Sequence, residues 1–260
     1  MCKVFSIASM KGGVTKTTTS LNLATAFGLM GKKALAVDLD PQGSLTICAG
    51  VTQPDKLTHT VYNLMDTVLD EGELPDQSDY IIPCEKMDII PCNIKLSAYE
   101  FNRGHEIGAE SALKTIIEPL REVYEIIIID TPPALGILTA NALVASDSII
   151  IPVTPQLLSA VGLKMLLKTI KKIQKYANPD VKIEGVLMSM CDTRTNLYKD
   201  INEIMESMYS QTVRIFNTVI PQSTLVGEAI LNQQSVLIYD KKSKPSLAYK
   251  EFAKEVLSYV

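Results

Sequence analysis

Residues 11–18 read KGGVTKTT, between an apolar run (Val4, Phe5, Ser6, Ile7, Ala8) and a segment with apolar residues at helical spacing (Leu21, Leu23, Ala24, Phe27). A glycine-bearing turn that leaves a strand and opens a helix aims backbone N–H groups at an anion, where the helix dipole also favours negative charge. Lys11, Gly12, Gly13, Val14 and Thr15 would form that cradle, with Gly12 and Gly13 supplying the freedom for positive φ and close approach. Lys16 is placed for the phosphates of a nucleoside triphosphate and the Thr17 hydroxyl for Mg²⁺. The loop departs from G-x-x-x-x-G-K-[ST], because Met10 and Thr15 occupy the glycine positions, and matches K-G-G-x-x-K-[ST] at every fixed position. Thr15 is therefore expected either at negative φ, as in the first residues of a helix, or under strain. Lys11 is a second lysine at the loop entrance. It suggests a nucleotide enclosed by a further positive charge from a partner subunit.

Two other strand-like runs end in acid. One is Ala36-Val37-Asp38-Leu39-Asp40, followed by Pro41, Gln42 and Gly43; the other is Ile126–Asp130, followed by Thr131, Pro132 and Pro133. Ligands of open parallel sheets sit beyond the carboxyl ends of the strands, so the three segments should converge on one crevice. Asp130 ends a run of isoleucines, as a Walker-B aspartate does, and would hold Mg²⁺ through water. Asp38 and Asp40 alternate along an extended segment, so only one points cleanly into the site. Asp40 is the expected residue for orienting the attacking water, with Asp38 behind it and near the metal. The competing reading makes these acids helix caps or loop residues. Two lysines, Mg²⁺ and one carboxylate suffice for hydrolysis that is mostly positioning and charge stabilisation.

Positioning these residues requires strands alternating with helices, which is the pattern of a mainly parallel α/β sheet covered on both faces. Strands are expected over 4–8, 34–37, 87–91, 126–130, 148–152, 183–190 and 213–218. Helices are expected over 17–30, 61–69, 111–123, 137–145, 160–177, 196–207 and 246–259. Gly31 should close the first helix. The acidic stretch 55–83, broken by Gly72 and Pro75, reads as a loop-rich excursion.

The chain has 260 residues, 47% hydrophobic and 21% charged, enough for one sizeable α/β domain over 1–260 and too few for two comfortable ones. Its net charge of −4 requires any nucleic-acid binding to come from a local patch. Five scattered cysteines without a C-x-x-C pair suit reduced thiols in the cytoplasm. His59 and His105 are solitary, so no metal is expected beyond the one the nucleotide brings. No signal peptide or membrane span is expected.

KGGVTKTT, DLDPQG, IIIIDTPP and MCDTRTNL (190–197) together resemble the ParA/Soj family of partitioning ATPases, and VIPQSTLVGEA with the segment after it extends the likeness over essentially the whole chain. The resemblance implies a P-loop NTPase fold and an ATP-bound sandwich dimer in which Lys11 reaches the partner's nucleotide. It also implies a slow, Mg²⁺-dependent ATPase stimulated by a ParB-like centromere-binding protein, and non-specific DNA binding by the dimer, which would then associate with the nucleoid. By position, Lys16 matches the P-loop lysine, Thr17 the Mg²⁺ ligand, Thr18 a phosphate contact and Asp40 the water-positioning acid. Pro221 starts the segment bordering the base. The family's late loop often reads I-P-R-N-V-R-L-S-E-A, whereas Gln222 and Leu225 stand at the arginine positions here. No N-terminal helix-turn-helix domain is expected. The alternative within the superfamily is a MinD-like or cargo-positioning ATPase acting on membrane or a protein complex.

For DNA, Arg194 matches a DNA-contacting arginine of the family. Lys164, Lys168, Lys171 and Lys175 share one helical stripe with Lys172 beside it, opposite Leu163, Leu166, Leu167 and Ile170. Such a stripe would neutralise phosphates without reading bases; it also fits an ordinary solvated helix face. The C-terminal helix has an apolar face of Tyr249, Phe252, Ala253, Val256 and Val260. Its few cations are offset by Glu251 and Glu255, so docking onto the protein's own core is expected rather than a membrane.

Overall fold

The structure, a computed structural model, describes residues 2–259, and for 157–161 their backbone only; Val260 of the expected terminal face lies outside the described residues. In chain order the first half runs β1 (Lys3–Ile7), α1 (Lys16–Leu29), β2 (Ala34–Asp38), α2 (Ser44–Cys48), α3 (Val61–Leu69), α4 (Gln77–Tyr80), β3 (Ile82–Pro83), β4 (Asp88–Ile90), α5 (Ser97–Asn102) and α6 (Ala112–Ile117). It continues with β5 (Ile126–Asp130), α7 (Ile137–Ala145), β6 (Ser148–Val153), α8 (Leu157–Tyr176), β7 (Lys182–Cys191), α9 (Asn196–Tyr209), β8 (Ile215–Pro221), α10 (Thr224–Leu231), α11 (Val236–Tyr239) and α12 (Lys244–Leu257).

The strands form an eight-stranded sheet in the order β3-β4-β2-β5-β1-β6-β7-β8. Every pairing is parallel except β3 with β4. Runs of branched aliphatics suit a sheet buried on both faces, and every residue of β2, β5 and β6 is buried. One face carries α1, α2, α10, α11 and α12 around Phe5, Phe27, Phe216 and Phe252. The other carries α3, α6 and α7 beside α8 and α9.

Register matters most at the top of the sheet. Asp130 pairs with Ile7 of β1 and with Asp38 of β2, so three strands end level and release their loops into one crevice. Since β1 lies between β5 and β6, that crevice sits where the chain order reverses, the usual ligand position in such sheets.

Two devices seat α1, which carries the phosphate loop's lysine. Gly31 at φ 82 closes it, with the Gly31 N–H on Gly28 O and the Lys32 N–H on Phe27 O. Asn22 Oδ1 accepts from Ser235 Oγ (2.7 Å) and from the Val236 N–H (2.9 Å), fastening α1 to the start of α11. The C-terminal helix docks inward as expected, with Tyr249, Phe252, Ala253 and Val256 fully buried.

The expected 111–123 helix is α-helical only through Ile117 and continues as a 3₁₀ segment, Glu118–Glu122, in which Pro119 cannot donate its N–H. Short helices α2, α4, α5, α10 and α11 and the two-residue β3 had no expectation, being too brief to show a period. The acidic excursion folds around α3, whose Thr60–Asn63 capping box supplies a firm start.

Candidate nucleotide site

The loop between β1 and α1 carries its charge inward. Lys16, the first residue of α1, is only 7% exposed, and its Nζ turns back to donate to Lys11 O (3.3 Å). Thr15 just before it takes φ 67, ψ 22, so the strained outcome is realised, and its hydroxyl donates to Val14 O (2.6 Å). A β-branched residue in this region is disfavoured by about 1–2 kcal/mol. Of the two glycines, Gly13 is the one at positive φ (73°).

Across the crevice, the Thr17 hydroxyl donates to Asp130 Oδ2 (2.7 Å) and the Ser20 hydroxyl to Asp130 Oδ1 (2.8 Å). Ser20 was missed in the sequence; its signal is position i+3 from Thr17 on a helix facing a strand-end acid. Asp38 does something different from facing a metal. Its Oδ2 accepts from the Thr46 N–H (2.8 Å) and hydroxyl (2.7 Å), and its Oδ1 from the Asp40 N–H (3.2 Å). Thr46 Oγ1 in turn accepts from the Cys92 N–H (2.9 Å). Asp38 thus anchors the turn that carries Asp40, a role that Thr46, a polar residue in a short apolar helix, could have signalled. Asp40 is half-buried; Oδ1 accepts from the Gln42 N–H (3.0 Å), and Oδ2 makes no hydrogen bond among the described residues.

Burial dominates the electrostatics. It pushes the Asp130 carboxyl up to about 7, reinforced by Asp38 and opposed by the Thr17 and Ser20 hydroxyls and by Lys16. It pushes Asp38 up to about 6 against its Thr46 hydrogen bonds. Burial likewise drives the Lys16 ammonium below the usual lysine range, outweighing the pull of Asp130 and Asp40. All three groups are drawn toward neutrality because the site is short of compensating charge. Triphosphate would restore the charge on Lys16, and a divalent cation would restore it on Asp130. One hydroxyl and one carboxylate beside a phosphate cradle suit Mg²⁺, which leaves its remaining positions to phosphate and water.

Lys11 points elsewhere. Its Nζ donates to Gln156 Oε1, on the loop after β6. On the other side of the loop, a cavity of about 440 Å³ is lined by Gly13, Thr15, Thr18, Met190, Ile220 and Pro221. Met190 stands at φ 54 in this wall. The cavity gathers Thr18 and Pro221 with Gly13 and Thr15 of the loop.

The expected DNA residues are not part of this crevice. Lys164, Lys168, Lys171, Lys172 and Lys175 are exposed on α8, and among the described residues none pairs with a carboxylate. Leu163, Leu166 and Ile170 pack beneath them. Arg194 lies in the β7–α9 turn with its side chain 87% exposed, paired with Asp192.

The fold and this crevice define a P-loop NTPase. The profile of a family described as an AAA domain matches residues 2–183. The chain is 39% identical to the sporulation initiation inhibitor protein Soj of Bacillus subtilis, covering 98% of each. It is 33% identical to the chromosome partitioning protein ParA of Caulobacter vibrioides, covering 98% of this chain and 94% of that one. Among solved structures it resembles a cobyrinic acid a,c-diamide synthase from Mycobacterium smegmatis with bound ADP and magnesium (TM-score 0.85, 33% identity, covering 100% of this chain and 95% of that one). The chain belongs to the ParA/Soj family of P-loop ATPases.

Proposed function

We propose that this chain is a single-domain, ATP-driven dimer switch of the ParA type that segregates or positions a chromosome, plasmid or mobile element. It hydrolyses ATP slowly with Mg²⁺, answers to a ParB-like centromere-binding protein, and binds DNA without sequence preference while ATP-bound. It would reside in the cytoplasm and join the nucleoid in that state. The observation that carries the reading is the convergence of Lys16, Thr17, Asp130 and Asp40 on one crevice, with a second lysine, Lys11, at its entrance.

Lys16 and the loop N–H groups from Gly12 to Thr18 bind and orient the triphosphate. Thr17 and Asp130 would hold Mg²⁺, with Asp38 acting through the Asp40 turn; bound Mg²⁺ supplies charge neutralisation on the terminal phosphates. Asp40 has an oxygen, Oδ2, that makes no hydrogen bond among the described residues and with which it would orient a water. Pro221 and Met190 border the base. Lys11 is held by an uncharged amide in the single chain, so its ammonium is available to the phosphates of a second copy. The inward docking of α12 leaves the membrane alternative without its expected surface.

The test is size-exclusion chromatography with light scattering in ATP and Mg²⁺, alongside DNA retention. Lys16→Ala is expected to lose nucleotide binding, and Asp40→Ala to accumulate an ATP-bound dimer that holds DNA. A purely monomeric Asp40→Ala protein would contradict the switch.

A further inference from the structure

Three sulfur-bearing residues, Cys48, Cys84 and Met87, line one cavity of about 50 Å³ beside Leu21 of α1. In the antiparallel pair β3–β4, Ile82 stands opposite Ile89 and Pro83 opposite Asp88. The next pair along is Cys84 and Met87, closed by the Cys84 N–H donating to Met87 O (2.9 Å). Residues opposite each other in this way share a face, and Ile82, Cys84, Met87 and Ile89 all pack on the same core as Cys48. Cys48 arrives there as the last residue of α2. Sequence spacing hides the meeting, because Cys48 follows β2 and Cys84 precedes β4, and only the pairing of those two strands brings them together.

The cavity has room for a single ion and lies far below the roughly 300 Å³ or more of a pocket for an organic ligand. Its donor set selects the ion. Thiolate and thioether sulfur together favour Cu(I). Zinc takes four ligands from thiolate, imidazole and carboxylate, and among the described residues no group of three His, Cys, Asp or Glu could hold a metal. Glu85 and Lys86 also line the cavity, both exposed, and their charges offset. Burial pushes the Cys48 and Cys84 thiols up to about 11, so at neutral pH they keep their protons and are poor nucleophiles until a metal displaces them.

We propose that Cys48, Cys84 and Met87 form a three-sulfur site for Cu(I), whose occupation ties α2 to the β3–β4 turn. Each thiol releases its proton to solvent, two Cu–thiolate bonds and one thioether bond form, and the ion stays Cu(I) throughout. The tie reaches the phosphate crevice through α2, because Thr46 on the same helix holds Asp38, which in turn accepts from the Asp40 N–H.

Anaerobic titration of the reduced, nucleotide-free protein against the coloured bicinchoninate complex of Cu(I) measures the affinity. Uptake of one equivalent is expected. Cys48→Ser and Cys84→Ser should each lose it, and Met87→Leu, which keeps the volume without the sulfur, should weaken it by at least about tenfold. Two readouts on the unaltered protein need no variant to fold. Cu(I) should slow the alkylation of Cys84 by iodoacetamide and slow amide hydrogen exchange over Ser44–Cys48. The site would be overturned by a parent protein that takes up no Cu(I), by uptake that survives in the double variant of Cys48 and Cys84, by parental affinity in Met87→Leu, or by equal competition from Zn²⁺. Uptake with unchanged exchange over Ser44–Cys48 would overturn the tie to α2.

Discussion

Thr15 shows how one residue can set the tension of the phosphate loop. Its φ of 67 lies where a glycine would rest without penalty, and a threonine remains only because the turn and α1 impose it. Thr15→Gly is expected to stabilise the nucleotide-free protein by about 1 kcal/mol, the relief of αL strain less the added freedom of the unfolded chain, read from urea denaturation. The buried acids make a second residue-scale prediction. Asp38 and Asp130 have folded pKa values raised to about 6 and about 7, so between roughly pH 4 and those values the native state binds more protons than the unfolded chain. Stability from this pair therefore falls as pH rises through that window. In chelator without nucleotide, the urea midpoint should be lower at about pH 8 than at about pH 5, and Asp130→Asn should flatten the difference.

Elements carry the next level of constraint. Helix α1 passes so close to the β3–β4 turn that a Cβ on Gly28 would collide with the carbonyl oxygen of Lys86. Gly28→Ala is expected to cost about 1–3 kcal/mol and to loosen the phosphate loop at the other end of the helix, measured by denaturation and by nucleotide affinity. At the sheet's edge, Glu255 of α12 accepts from the N–H groups of Asn217 (2.7 Å) and Thr218 (2.9 Å), covering part of β8 that would otherwise invite strand pairing. Helix α8 presents its lysines along roughly 16 Å of surface between Lys164 and Lys175. Neutralising Lys164, Lys168, Lys171 and Lys175 together should weaken DNA retention uniformly across sequences and shallow its salt dependence, while leaving the melting temperature nearly unchanged. Unaltered retention would reduce the stripe to a solvated helix face.

For the whole molecule the informative side chain is Lys11. In one copy its ammonium rests on Gln156, away from the buried Lys16 that shares its loop. If the proposed dimer forms, that contact is exchanged for a second copy's phosphates. Lys11→Ala should then keep nucleotide binding in the monomer within a few-fold and lose ATP-dependent dimerisation, as seen by titration calorimetry beside light scattering. Loss of nucleotide binding in the monomer would instead give Lys11 a role within its own chain.

Much of this was legible in the residues. The apolar runs before Lys11, Asp40 and Asp130 declared strands ending at acids and a phosphate loop, because burial on both faces leaves little choice but branched aliphatics. Helices α3 and α7 have the bounds expected, as their apolar spacing changes abruptly at both ends. The Asp38–Thr46–Cys92 chain and the second hydroxyl on Asp130 were not legible, since each joins segments whose distance in space is set by strand order. Sequence alone determined which chemical groups the protein owns and which strand ends they terminate. Tertiary structure decided which of those groups share a low-dielectric space, and therefore that Asp130 and Lys16 await ligand charge.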